Sequence, residues 1–118
     1  TRERLVFGKP VGDYQLSQVK FPRMAMYLCA SRQFTYAVGR LMDQGSGQME
    51  ASLVKLFACR AAEWITREAM QLHGGMGYAE ETDVSRYWLD ARVLSIFEGT
   101  EETLALKVVG RNLLENSV

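Results

Sequence analysis

The chain is poor in the residues from which common catalytic devices are built. It holds one histidine, His73, and two cysteines, Cys29 and Cys59, among 118 residues. With neither Glu-x-x-His nor His-Glu-x-x-His, a carboxylate-bridged di-iron bundle lacks its ligands, and no metal site is predicted. A Ser/His/Asp or Cys/His device would rest wholly on His73, for which the sequence positions no partner. The two cysteines sit in helical patterns with no second pair. That argues against a zinc knuckle or disulfide framework and reads as buried, reduced thiols. Charge of one sign is missing too: 14 Lys and Arg balance 14 Asp and Glu. Nothing electrostatic therefore points to nucleic acid or an anionic membrane. No apolar run reaches the length of a membrane span, and no signal-peptide pattern opens the chain. Alternating apolar and polar runs are absent, so no strand is predicted.

What is present is helical periodicity in a composition that is 47% hydrophobic and 24% charged, ordinary for a globular domain. The expected fold is all-α: one domain over residues 1–118, an antiparallel up-down four-helix bundle with two long helices and shorter C-terminal ones. Thr1 to Pro10 reads as the tail of a helix closed by Gly8 and barred by Pro10. Asp13 is the expected N-cap of a helix whose apolar positions, Leu16 through Leu41, run to Asp43, kinked near Gln18 to Phe21 by Pro22. Gln44 to Gly47 makes a polar turn. From Gln48, Ala51, Val54, Ala58, Ala61, Ile65, Ala69 and Leu72 recur at spacings of three and four, a seam of small residues that ends at Gly74-Gly75. A shorter helix is expected from Asp83 to about Leu94. Thr100 caps a last one through Leu114, with Glu101 and Glu102 at its positive end and Gly110 a weak point within it.

Two runs carry the chemistry. Gln71 to Tyr78 ends a long helix with glycines that let backbone approach a ligand closely. Ile96 to Thr100 sets a lone carboxylate, Glu98, in a turn after an apolar run. We read the pair as one cofactor-and-base site. Partial burial would raise the Glu98 pKa toward that of a general base, and amides beside Gly99 would serve a developing oxyanion. The plain alternative is a glutamate favouring a helix dipole. Arg4 and Phe7, sharing a helical face, would both reach an anionic ligand, or else are a surface arginine and a core phenylalanine.

Taken together, Arg4-x-x-Phe7-Gly8-Lys9, Gln15, Gln71-x-x-Gly74-Gly75-x-Gly77-Tyr78, Arg86, Asp90-Ala91-Arg92 and Ile96-Phe97-Glu98-Gly99-Thr100-x-Glu102 resemble the C-terminal domain of the acyl-CoA dehydrogenase flavoprotein family. The likeness runs over nearly the whole chain, in order and spacing. It implies a segment of a longer polypeptide, with an N-terminal helical domain and a middle β domain upstream, as the start at Thr1 also suggests. It implies non-covalent FAD in a homodimer or homotetramer. Arg4, Phe7, Gln15, Gln71, Gly74 and Gly75 match positions that contact the FAD held by the neighbouring subunit. Thr100 and Glu102 match contacts to the subunit's own FAD, and Gly99 adjoins the substrate.

Glu98 matches the base that removes the α-proton of an acyl-CoA thioester, giving a trans-2-enoyl-CoA with electrons passing to an electron-transfer flavoprotein. The implied location is the bacterial cytoplasm or the mitochondrial matrix. Leu89, Thr103 and Pro22 depart from the family's usual residues without touching the base or the glycines. Two other readings are carried: a non-catalytic module for oligomerisation and cofactor clamping, and an oxidase- or monooxygenase-like relative.

Overall fold

The fold is mostly helical, as expected, and its organising element is one central helix on which the others pack. The computed structural model describes residues 1–115. A two-residue antiparallel hairpin opens the chain, β1 (Leu5–Val6) against β2 (Lys9–Pro10), with Leu5 opposite Pro10 and Val6 opposite Lys9. A 3₁₀ turn (Val11–Asp13) and a short helix α1 (Gln15–Gln18) follow. Then come α2 (Lys20–Asp43), α3 (Gln48–His73), α4 (Gly75–Tyr78) and α5 (Asp83–Val93). The last helical stretch is composite. It comprises α6 (Glu101–Thr103), a π-helical segment (Leu104–Gly110) and α7 (Arg111–Glu115).

The start of the chain corrects the expected helix tail. Phe7 and Gly8 take left-handed angles, φ 50° and 79°, at the hairpin tip. Two such residues fit the tight turn that matches strand twist. Tyr14 Oη donates to Val6 O (2.6 Å) and the Val11 amide to Arg4 O (2.9 Å), tying the hairpin down. The run is too short to show a period, so Gly8 looked like a helix end when it is a turn. Asp13 is likewise not an N-cap: it lies in the 3₁₀ turn, and α1 begins after Tyr14 without a side-chain cap.

Pro22, which lacks an N–H, gives two helices where one kinked helix is expected: α1 ends at Gln18 and α2 begins at Lys20, with Val19 between them at right-handed angles (φ −64°, ψ −20°) and its N–H on Gln15 O (3.0 Å). Within the last helix the departure is larger. A Cβ at Gly110 would lie 2.9 Å from Ala105 O, so the wider π turn, not a weak α turn, is what the glycine serves.

α2, α5 and the π segment all pack on α3. Of the predicted α3 seam, Ala61 and Leu72 are buried and the others half-buried, with Ser52 and Cys59 buried beside them. On α2 only Val38 is buried; Leu16, Val19, Ala30 and Leu41 of the expected stripe are exposed, and so is Cys29, against expectation. The reason is that α2 meets α3 along one flank only. There Tyr27 stands edge-on to Trp64 (5.3 Å between centroids) and Phe57 (6.2 Å), and Arg23 lies 4.8 Å over the Trp64 ring. Such pairs contribute about 1 kcal/mol each beyond area burial. A Lys20–Glu68 ion pair extends the seam. The molecule measures 60 × 25 × 25 Å, and its 17.9 Å radius of gyration exceeds the roughly 13–14 Å of a compact domain this size. Among the described residues no helix is long and apolar enough to cross a membrane.

Candidate functional site

The C-terminal end of α3 is built by contacts between residues far apart in sequence. Gly74 ends the helix at φ 63°, ψ −142°, a combination open to glycine alone. This frees the last carbonyls, and Arg4 reaches one of them: its Nη1 donates to Leu72 O at 2.8 Å. A Cβ on Gly74 would run into the Arg4 guanidinium, whereas one on Gly75 would meet nothing within 4 Å. Arg67, Met70, Gln71, Gly74, Gly75, Tyr78 and Trp88 line a groove of about 400 Å³ beside this junction. His73 faces out, its Nδ1 2.8 Å from Ala69 O, a local helical contact without catalytic partner.

Phe7 does not share a helical face with Arg4. It stands at the hairpin tip, 95% exposed, while Arg4 reaches across to α3. Gln15 opens α1 and is exposed.

The second cluster forms where α5 returns to α3. Glu98 (φ 54°) and Gly99 (φ 92°) are consecutive left-handed residues, and for a glutamate this backbone is strained by about 1–2 kcal/mol. Lys55 Nζ donates to Phe97 O (3.2 Å) and to Gly99 O, pinning the turn to α3. Among the described residues, the Glu98 and Gly99 amides have no hydrogen-bond partner. The Glu98 side chain is exposed, which corrects the expected partial burial: among the described residues no element packs over it. Sequence reasoning missed Lys55, although it is the lone charge between Glu50 and Arg60 on α3. Arg67, which lines the groove with Gln71, was not singled out either, although it stands four residues before Gln71 on α3.

Thr100 caps the last helix as expected, its Oγ1 accepting from the Thr103 amide (3.2 Å). Glu102 lies in a cleft of about 540 Å³ with Leu53, Leu56, Phe57, Arg60, Glu101 and Ala105. Its own backbone N–H, then the Thr100 side chain, hold its carboxyl below the usual range. Arg60 Nε pairs with Glu101 Oε2 at 2.9 Å. Burial pushes the Cys59 thiol up, against the opposing field of Lys55. Removing the Thr100 hydroxyl (Thr100→Val) is expected to destabilise by about 1 kcal/mol at neutral pH, read by urea unfolding. A lowered native carboxyl stabilises above its unfolded pKa and loses that contribution as pH falls through the native value. The gap between wild type and variant should therefore narrow on acidification toward the capping contribution alone.

The two clusters do not meet within one chain. Lys55 and Leu72, the α3 residues each cluster touches, are 17 positions apart, about 25 Å along the helix. Among the described residues, no group of three or more His, Cys, Asp or Glu is placed to hold a metal ion.

Residues 1–114 match the family model described as "Acyl-CoA dehydrogenase, C-terminal domain". The chain is 41% identical over 107 residues to a very long-chain specific mitochondrial acyl-CoA dehydrogenase of Bos taurus, covering 89% of this chain and 16% of that protein. It is 36% identical over 115 residues to a 3-(aryl)acrylate reductase of Clostridium sporogenes, covering 97% and 30%. Among solved structures, butyryl-CoA dehydrogenase from Megasphaera elsdenii superposes with a TM-score of 0.90 at 36% identity, over 96% of this chain and 30% of that one. The chain thus spans less than a third of the length of these relatives.

Proposed function

Because the chain belongs to the acyl-CoA dehydrogenase family, we propose that the protein carrying it removes hydrogen across the α and β carbons of an acyl-CoA thioester, giving a trans-2-enoyl-CoA. The observation that carries this reading is the turn at Glu98. A carboxylate sits in strained backbone beside a glycine, with amides at both residues that have no partner among the described residues and the flanking carbonyls tied down by Lys55. The Glu98 carboxylate takes the α-proton, and the Glu98 N–H donates to the thioester oxygen as negative charge gathers there. FAD, when bound, supplies the acceptor for the β-hydrogen as hydride.

The residues at the end of α3 fit such a dinucleotide. Arg4 spends one N–H on Leu72 O and keeps the rest of its fork for a pyrophosphate. Gln71 is exposed beside it, and the open space at Gly75 admits close approach of a ligand to backbone. Phe7 and Gln15 would complete this grip. Thr100 and Glu102 stand on the base's side, where the Glu102 carboxylate would accept hydrogen bonds from hydroxyl groups of the cofactor. The 25 Å between the clusters supports a site shared by two copies, one giving Glu98, Gly99, Thr100 and Glu102, the other Arg4 and the glycine end of α3. Upstream domains and an electron-transfer flavoprotein belong to the same proposal. On this reading the isolated segment is a clamp and oligomerisation module, inactive by itself.

The test is to mix the full-length, flavin-loaded protein anaerobically with acyl-CoAs of graded chain length. Bleaching of the flavin, followed by faster reoxidation with electron-transfer flavoprotein than with oxygen, is the expected result. No bleaching with any acyl-CoA would overturn the proposal. Oxygen uptake that matches turnover would replace it with an oxidase.

A further inference from the structure

Lys55 lies in the first third of α3, the only charge between Glu50 and Arg60. Its ammonium does not seek a carboxylate. It donates to two backbone oxygens, Phe97 O and Gly99 O, 42 and 44 residues away. Those oxygens belong to the two peptide groups on either side of the Glu98-Gly99 pair. A trans peptide is planar, with its C=O and N–H pointing in opposite directions, and the described chain has no cis bonds. The Phe97 carbonyl shares its peptide with the Glu98 N–H, and the Gly99 carbonyl shares its with the Thr100 N–H. Gathering both oxygens at one cation on α3 therefore turns both N–H groups away from α3. A cation on the carbonyl also polarises the peptide, which strengthens the N–H as a donor.

The turn is closed at its ends by other contacts. The Glu101 amide donates to Ser95 O (3.3 Å) and the Leu104 amide to Thr100 O (3.0 Å). Neither touches the Glu98 or Gly99 peptide groups, and among the described residues Lys55 is the α3 side chain that holds this left-handed turn through hydrogen bonds. We propose that Lys55 is a positioning residue, which aims and polarises the Glu98 N–H toward the thioester oxygen. The inference rests on the proposed role of Glu98 and adds what makes its backbone competent.

The experiment uses the full-length, flavin-loaded protein with Lys55→Met, Lys55→Gln and Lys55→Arg. The first readout is exchange of the substrate α-proton with solvent deuterium. Misdirecting one oxyanion donor is expected to slow exchange about 30-fold in Lys55→Met, with KM nearly unchanged. Lys55→Gln should fall between, and Lys55→Arg should recover most of the rate. The second readout is the infrared carbonyl band of an isotope-labelled acyl-CoA bound in a Glu98→Gln background, where chemistry is blocked. Adding Lys55→Met should move that band to higher frequency as polarisation weakens.

Wild-type exchange in both Met and Gln variants, or an unmoved carbonyl band, would overturn the proposal. So would loss of flavin and an earlier melt in both variants without rescue by Arg, since Lys55 would then serve packing alone. The two readings fail separately. Exchange lost in Glu98→Gln but intact in Lys55→Met sinks only the role of Lys55, whereas exchange that survives Glu98→Gln sinks the base.

Discussion

Replacing Glu98 by glutamine in the full-length, flavin-loaded protein is expected to slow flavin bleaching by acyl-CoA about a thousandfold. A positioned general base contributes about 10²- to 10⁴-fold, and glutamine keeps the size and polarity of glutamate without its basicity. Flavin content and melting temperature should stay as in wild type, because the side chain is exposed. Glu98→Gly separates the base from the backbone. It should lose the reaction to the same extent while stabilising the fold by up to about 1 kcal/mol, since glycine adopts φ 54° without strain. Stopped-flow bleaching and urea unfolding of the same samples read both effects. Unchanged bleaching in Glu98→Gln would remove the carboxylate from the chemistry.

The second large effect belongs to the other end of α3. Gly74→Ala is expected to destabilise the protein by about 2 to 3 kcal/mol and to release its flavin. Two penalties act together there. Alanine is forced into backbone angles it avoids, and its Cβ collides with the guanidinium that caps Leu72 O. Gly75→Ala is the control. A Cβ there meets nothing within 4 Å, so stability should hold while flavin retention falls, because the methyl group occupies the space needed for close approach of the dinucleotide. Gel filtration of the full-length variants, with flavin absorbance followed alongside urea unfolding, distinguishes the two. If Gly75→Ala retained flavin as wild type does, the glycine pair would be a helix terminator only.

The long helices were legible because their signals are local. The seam from Ala51 to Leu72, the glycine at its end and the Thr100 cap each depend on neighbours within one or two turns. The amino terminus misled for the same reason. Leu5 to Pro10 is too short for either period to show, and Gly8 closes a hairpin as readily as a helix. The motif resemblance located Glu98 but told nothing of Lys55, whose partners lie more than 40 residues away.

By itself, the sequence determined that the chain is helical, where α3 and α5 run, and which carboxylate and glycines stand in turns. Those are properties of adjacent residues competing for backbone angles and hydrogen bonds. Only the packed chain decided that Arg4 closes the end of α3, that Lys55 grips the Glu98 turn, and that these two assemblies lie about 25 Å apart on one helix. Distances between segments follow from how side chains fill space across elements, and no spacing along the chain encodes them.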